Sequence, residues 1–359
     1  MRMAWRAALA RAVALAAGLA TTTAAIAVEQ GVLPRPPIQW RPQQSGVTVR
    51  LRGVSAVSDR VAWASGAQGT VLRTTDGGAT WVRRPVPDAE TLDFRDIDAT
   101  SADVASILSI GPGEASRIYK TRDGGATWTL QLANTDPKVF LDAMAFRDER
   151  HGVAFSDSVD GQFVIFITTD GASWTRVPAD RLPLALPGEG AFAASGTNVA
   201  LVPGGHIWIG TTKGRVLRST DDGRTWGVAP TPIATGEATG IFSIAFRDAQ
   251  HGVVVGGNYQ QETTADRNAA TTSDGGSSWQ PVTGNHGLSG YRSVVTRWAG
   301  MAGHWLAVGP AGSDWSTDDG RTWTPAGGDG YDAVSLAPGG AIGWAAGAGG
   351  RIAAMTLAR

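Results

Sequence analysis

The sequence predicts an all-β protein made of a repeated four-stranded antiparallel unit, and three observations predict it. The first is an eight-residue phrase, Thr/Ser-x-Asp-x-Gly-x-Thr/Ser-Trp. It reads Thr74-Thr75-Asp76-Gly77-Gly78-Ala79-Thr80-Trp81 on first appearance and returns at 121–128, 219–226, 272–279 and 316–323, with a shortened copy at 169–174. The Asp positions fall at 76, 123, 170, 221, 274 and 318, in steps of 47, 47, 51, 53 and 44 residues. A period in that range marks an array of similar supersecondary units. The second observation is compositional: 48 of 359 residues are Gly, and runs of Val, Thr, Ile and Trp are broken by Gly, Asp, Asn and Pro, as in short strands joined by tight turns. The third is the lack of any long stretch of helical period after the first thirty residues.

The first repeat can be read element by element. Gly53-Val54-Ser55-Ala56-Val57 is an apolar first strand, turning at Ser58-Asp59-Arg60 into a second, Val61-Ala62-Trp63-Ala64. After the loop Gly66-Ala67-Gln68-Gly69 comes a third, Thr70-Val71-Leu72-Arg73-Thr74; the Asp phrase is the next turn, and Trp81-Val82-Arg83 starts a fourth. Four antiparallel strands per repeat make one blade of a β-propeller. The second strand is echoed by Trp305-Leu306-Ala307-Val308-Gly309 and by Gly343-Trp344-Ala345-Ala346-Gly347. The tail from Tyr331 to Met355 supplies three strands but no fourth, whereas Ile38-Gln39-Trp40-Arg41-Pro42 looks like a fourth strand without its blade. An N-terminal strand completing the last blade removes two open sheet edges. The expectation is a single seven-bladed propeller domain over residues 38–359, with six and eight blades as the neighbouring counts.

The start of the chain reads as a processing segment. Arg2, Arg6 and Arg11 accompany an Ala/Leu/Val stretch, and Ala25-Ile26-Ala27 fits a small-x-small cleavage site. Residues 1–27 are therefore expected to be a signal peptide, with an uncleaved anchor as the alternative, and 28–37 a Pro-containing linker. The protein is expected to be exported, periplasmic or secreted. Cleavage would take three Arg and no acid from a chain of formal charge −1, leaving about −4, which argues against a general nucleic-acid binder. With no Cys and five scattered His, neither a thiolate nor a clustered zinc site is expected, and no cofactor. His151 and His251 occupy matching turns, Arg147–Gly152 and Arg247–Gly252, and read as repeat architecture.

A phrase recurring once per blade has a structural explanation. Asp at the turn accepts hydrogen bonds from nearby backbone N–H groups, Gly tolerates positive φ, and Trp buries a large ring. Asp76, Asp123, Asp170, Asp221, Asp274 and Asp318, with Trp81, Trp128, Trp174, Trp226, Trp279 and Trp323, are assigned to the scaffold on this ground. These phrases resemble the Asp-box of the BNR-repeat proteins over about 320 residues. That superfamily includes sialidases as well as non-enzymatic propellers. The blade count and the form Arg73-Thr74-Thr75-Asp76-Gly77-Gly78-Ala79-Thr80-Trp81 look more like the photosystem II stability/assembly factor family, the Ycf48-like proteins. That resemblance implies an exported seven-bladed propeller that binds a membrane-protein client during assembly; nothing in the sequence carries over the photosystem itself.

The Asp turns join third to fourth strands, so the opposite face, built by loops entering the first strands and by those between second and third strands, is where a site is expected. Its candidates are Arg52, Arg95, Asp142, Glu189, Tyr259, Arg292 and Asp314. Arg forks suit planar anions, and the alternative is a solvated rim of mutually paired charges. Asp314 stands out because the residues four before the other Asp positions are Leu72, Tyr119, Phe166, Leu217 and Ala270. A carboxylate there is costly unless paired, and perturbed acids gather at functional sites.

Two functions follow. The first is a non-catalytic binding or assembly propeller, expected to be monomeric, engaging an envelope or membrane protein client or a small polar or anionic ligand. The second is a sialidase-like glycoside hydrolase, for which Glu189, Glu237, Asp314, Tyr259 and the Arg set would be the parts. Against it, the Arg-Ile-Pro motif typical of sialidases is absent. Convergence of Glu189, Asp314, Arg52 and Arg292 on one pocket would favour hydrolysis.

Overall fold

A computed structural model describes residues 38–340 and 342–357. The readings of 1–27 as a signal peptide and of 28–37 as a linker lie outside the described residues. Seven four-stranded antiparallel sheets follow one another along the chain. The blade-one strands are Leu51–Ala56, Ala62–Gly66, Thr70–Thr74 and Val82–Arg83, within two residues of the boundaries expected from sequence. The last blade is composite: Ala333–Leu336, Ile342–Ala346 and Ile352–Leu357 are joined by the N-terminal strand Ile38–Gln43. Its pairing runs antiparallel, from Ile38 opposite Leu357 to Gln43 opposite Ile352.

Gln43 also ties this closing strand to the first blade. Its side-chain Nε2 donates to the Gly77 carbonyl at 3.0 Å, and its Oε1 accepts from Trp81 Nε1 at 3.0 Å. Gly78 in that turn has φ +80°, and a Cβ there would run into the Gln43 amide. Both the backbone conformation and the close approach therefore require glycine.

The core lies between blades. Trp63, Trp208, Trp305 and Trp344, all from second strands, are essentially fully buried. The Trp residues of the repeated turns divide: Trp279 and Trp323 are buried, but Trp81, Trp128, Trp174 and Trp226 are only partly so. Burial of a motif Trp is therefore not uniform from blade to blade.

The turn chemistry repeats almost atom for atom. Asp76 Oδ1 accepts from Thr80 N–H at 2.9 Å and Oδ2 from Thr80 Oγ1 at 2.6 Å, while Gly78 N–H donates to Thr74 Oγ1 at 2.9 Å. The same distances, to within 0.1 Å, recur around Asp123, Asp221, Asp274 and Asp318. In the shortened copy Asp170 accepts instead from the Ala172 and Ser173 N–H groups, each at 2.8 Å. These bonds favour the charged form. Hydrogen bonds from Thr80 and Thr127 hold Asp76 and Asp123 at about 2. The matching His turns are also architectural: His151 Nδ1 lies 2.9 Å from Asp148 Oδ1 and His251 Nδ1 3.0 Å from Asp248 Oδ1.

Candidate functional site

One irregularity recurs on the innermost strands. The register between first and second strands shifts between Leu51 and Gly53, Phe94 and Asp96, Leu141 and Ala143, and Ile241 and Ser243. Each shift leaves one extra residue: Arg52, Arg95, Asp142 and Phe242. A bulge re-aims the side chain it inserts, and all four line one cavity of about 510 Å³ at the mouth of the channel, opposite the Asp turns. After two of the bulges the next residue serves the scaffold instead: Asp96 Oδ2 accepts from Met144 N–H of the next blade at 2.7 Å and Ser243 Oγ from Val295 N–H at 2.9 Å.

Three arginines reach the cavity, with unequal compensation. Arg50 forks onto Asp332, Nε to Oδ2 at 2.8 Å and Nη2 to Oδ1 at 2.7 Å. Arg95 is held by Asp93 Oδ2 and the Ala193 carbonyl, both at 2.7 Å. Arg52 has only a 3.4 Å bond to the Ala194 carbonyl, and its nearest carboxylate oxygen among the described residues is 4.0 Å away on the Asp332 that Arg50 already occupies. Burial, then the charge of Arg95, lowers the Arg52 guanidinium to about 10; it remains charged at neutral pH and lacks a full counter-ion. Such a group is suited to accept an anion.

The remaining wall is aromatic and acidic. Phe192 and Phe242 stack with centroids 3.9 Å apart; Tyr291 meets Phe242 edge-on at 4.7 Å and Tyr259 meets both Phe rings at 6.1 Å. Tyr259 is 43% exposed, so the wall opens to solvent at that point. Asp142 and Asp157 complete the lining beside Ala191. Burial pushes Asp142 well above the ordinary carboxylate range, and the nearby charge of Asp157 adds to it.

Of the residues expected from sequence, the structure brings Arg52, Arg95, Asp142 and Tyr259 together in this cavity and places the other three elsewhere. Glu189 is buried, accepting from Thr211 Oγ1 at 2.7 Å and Arg215 Nε at 3.0 Å, and Arg215 Nη2 also pairs with its Oε2. Burial opposes its charge, but the Arg215, Leu186 and Thr211 hydrogen bonds outweigh burial and hold it below the ordinary range. Arg292 and Asp314 face each other, both buried, with Nε to Oδ2 and Nη2 to Oδ2 at 2.7 Å. Ser289 contributes its Oγ to Asp314 at 2.8 Å. Glu189, Asp314, Arg52 and Arg292 therefore do not converge, and only Arg52 of the four lines the cavity. Arg50, Phe192, Phe242 and Asp157 also line it, and none of them is among the residues expected from sequence. Phe242 follows Ile241 on the innermost strand of blade five, Thr239–Phe246, and the one-residue bulge turns it to the cavity.

Comparison with known proteins leaves the fold as the shared property. No protein-family model matches the chain, and no curated protein matches it. Among solved structures, one described as YCF48 bound to D1 peptide superposes with a TM-score of 0.62 at 17% identity, covering 91% of this chain and 98% of that one. A second, YCF48 from Cyanidioschyzon merolae, gives 0.62 at 18% identity, covering 88% and 98%. The chain is a Ycf48-like β-propeller in fold. The likeness spans nearly the full length of both solved Ycf48 structures, so the architecture of the ring is common ground.

Proposed function

We propose that this chain is a non-catalytic binding propeller of the cell envelope that holds an exposed segment of a protein client in the channel-mouth cavity. The observation that carries the reading is Arg52: a half-buried, charged guanidinium without its own counter-ion, set on a bulge beside an aromatic wall in an open cavity. A carboxylate or backbone carbonyl would dock on Arg52, and apolar side chains would dock on Phe192, Phe242 and Tyr291. That one of the similar structures carries a peptide supports a peptide as the class of ligand. Export rests on the Arg-flanked apolar start of the sequence and its small-x-small site.

The test is affinity capture of the tagged protein from chemically cross-linked native envelopes, with Arg52→Ala/Arg95→Ala as the comparison. Arg292 is left intact, because breaking its buried pair would destabilise the blade and could cost partners for an uninformative reason. A membrane-protein partner enriched by the parent and lost by a folded double variant supports the reading. Equal capture by both proteins contradicts it.

A further inference from the structure

Among the described residues, the buried carboxylates of this propeller are matched, with one exception. Asp314 has Arg292, Glu189 has Arg215, and Asp332 has Arg50; Asp96 and Asp98 each accept a peptide N–H at 2.7 Å. Asp142 is 1% exposed, and its Oδ2 is buried with no hydrogen-bond partner among the described residues. Its register explains why the scaffold does not use it: Asp142 is the bulge residue, turned to the cavity like Arg52 and Arg95, whereas the following residue, Ala143, holds the position from which Asp96 and Ser243 reach the next blade. Asp157, from the neighbouring strand Gly152–Val159, stands in the same wall. Room for its carboxyl is kept by Gly190, where a Cβ would collide with Asp157 Oδ1. No side-chain cation among the described residues pairs with either group; what favours their charged forms is the Ala191 peptide N–H, joined at Asp142 by that of Asp157. A desolvated carboxyl with no side-chain cation, facing an open cavity, is costly to ionise, and a ligand cation would offset that cost.

We propose that Asp142 and Asp157 form a cation-receiving pole of the cavity, so that the bound segment is dipolar, with a carboxylate on Arg52 and an ammonium or guanidinium on Asp142 and Asp157. This rests on the reading of the cavity as a peptide site and narrows it to segments carrying a basic group near an acidic one. The stacked Phe192–Phe242 pair provides an apolar surface for the methylene stem of a lysine or arginine.

The test is calorimetric titration of the purified protein with three probes: acetyl-alanyl-lysine, its C-terminal amide, and acetyl-alanyl-norleucine. The free-acid lysyl probe should bind roughly tenfold or more tighter than either of the others, the scale of one charge-assisted hydrogen bond in a partly desolvated site. Asp142→Asn should bring the lysyl and norleucyl acids to near-equal affinity while keeping the norleucyl affinity, and should not lower the melting temperature, because no side-chain ion pair of the scaffold is lost. Equal lysyl and norleucyl binding by the parent, still lost in Arg52→Ala, would overturn the cation pole and leave the peptide site standing. No binding of any probe by the parent would overturn both. An Asp142→Asn protein that melts lower and loses norleucyl binding too would make Asp142 a structural residue, and the proposal would fall.

Discussion

Asp314 is the residue whose sequence signal is sharpest and whose place in the structure is least like a site. Removing it isolates a specific energy. Its carboxylate receives Arg292 Nε at 2.7 Å, Ser289 Oγ at 2.8 Å and Ser289 N–H at 3.2 Å, and both partners of the ion pair are 1% or less exposed. Asp314→Leu leaves the Arg292 guanidinium buried with the Tyr291 carbonyl and Ser289 Oγ as its remaining acceptors. Breaking a buried pair from one side costs about 3–5 kcal/mol, and Arg292→Met should cost the same for the mirror reason. At this domain size about 2 °C of melting temperature accompanies each kcal/mol, so each single variant should melt roughly 6–10 °C lower. The double variant removes both charges and leaves a patch of similar volume, so its loss should be about 1 kcal/mol or less, chiefly from Ser289 losing partners. Urea and thermal unfolding followed by Trp fluorescence would measure all three. The reasoning is refuted if the two single losses add in the double variant, or if Asp314→Leu keeps the parental melting temperature.

Other outcomes follow from the same geometry. Trp323→Ala should cost about 3–5 kcal/mol as a buried ring, whereas Trp128→Ala, only partly buried, should cost less, and denaturant midpoints would rank them. Gln43→Ala should lower stability by roughly 1–3 kcal/mol, since it strips the Trp81 Nε1 and Gly77 carbonyl partners that tie the ring shut; hydrogen exchange should localise the loosening to the closing strand. Stability should pass through a maximum as pH falls. Asp98, lifted to about 6 by burial against the Phe146 N–H bond and the Lys120 charge, is protonated in the fold but ionised in the unfolded chain between about pH 4 and 6, so the fold gains as pH drops through that window. Below about pH 4 the Asp turns, held at about 2, stay ionised while their unfolded counterparts take up protons, and stability is lost. A urea midpoint that only falls from pH 7 to pH 3 would contradict this balance.

The scaffold is more legible in the sequence than the site, and particular residues show why. The turn around Asp76 is local chemistry, complete within the segment from Thr74 to Thr80, so its recurrence exposes the period directly. Closure is legible because Trp40 occupies the place of Trp81 in an otherwise unpartnered strand. Site assignment needs contacts that sequence spacing does not display. Counting back from Asp318 flags Asp314 as a buried acid, and Arg292 is also singled out, but their mutual pairing depends on how a loop 22 residues upstream folds back. Glu189 likewise finds Arg215, 26 residues on, at the start of the strand Arg215–Ser219. Phe192, Phe242 and Tyr291 assemble from three blades into one wall, and a one-residue bulge decides that Phe242 rather than Ile241 faces the cavity.

The central claim, that the cavity opposite the Asp turns is where a client segment binds, is tested most directly by site-specific photo-cross-linking in native envelopes. A photoreactive amino acid would replace Tyr259, exposed at the cavity edge, or Thr322, exposed on the Asp-turn face. The account predicts a discrete protein adduct from position 259, located by mass spectrometry to one segment of the partner, abolished by Arg52→Ala and absent from position 322. An adduct from position 322 alone, or one from 259 that is indifferent to Arg52, would contradict it.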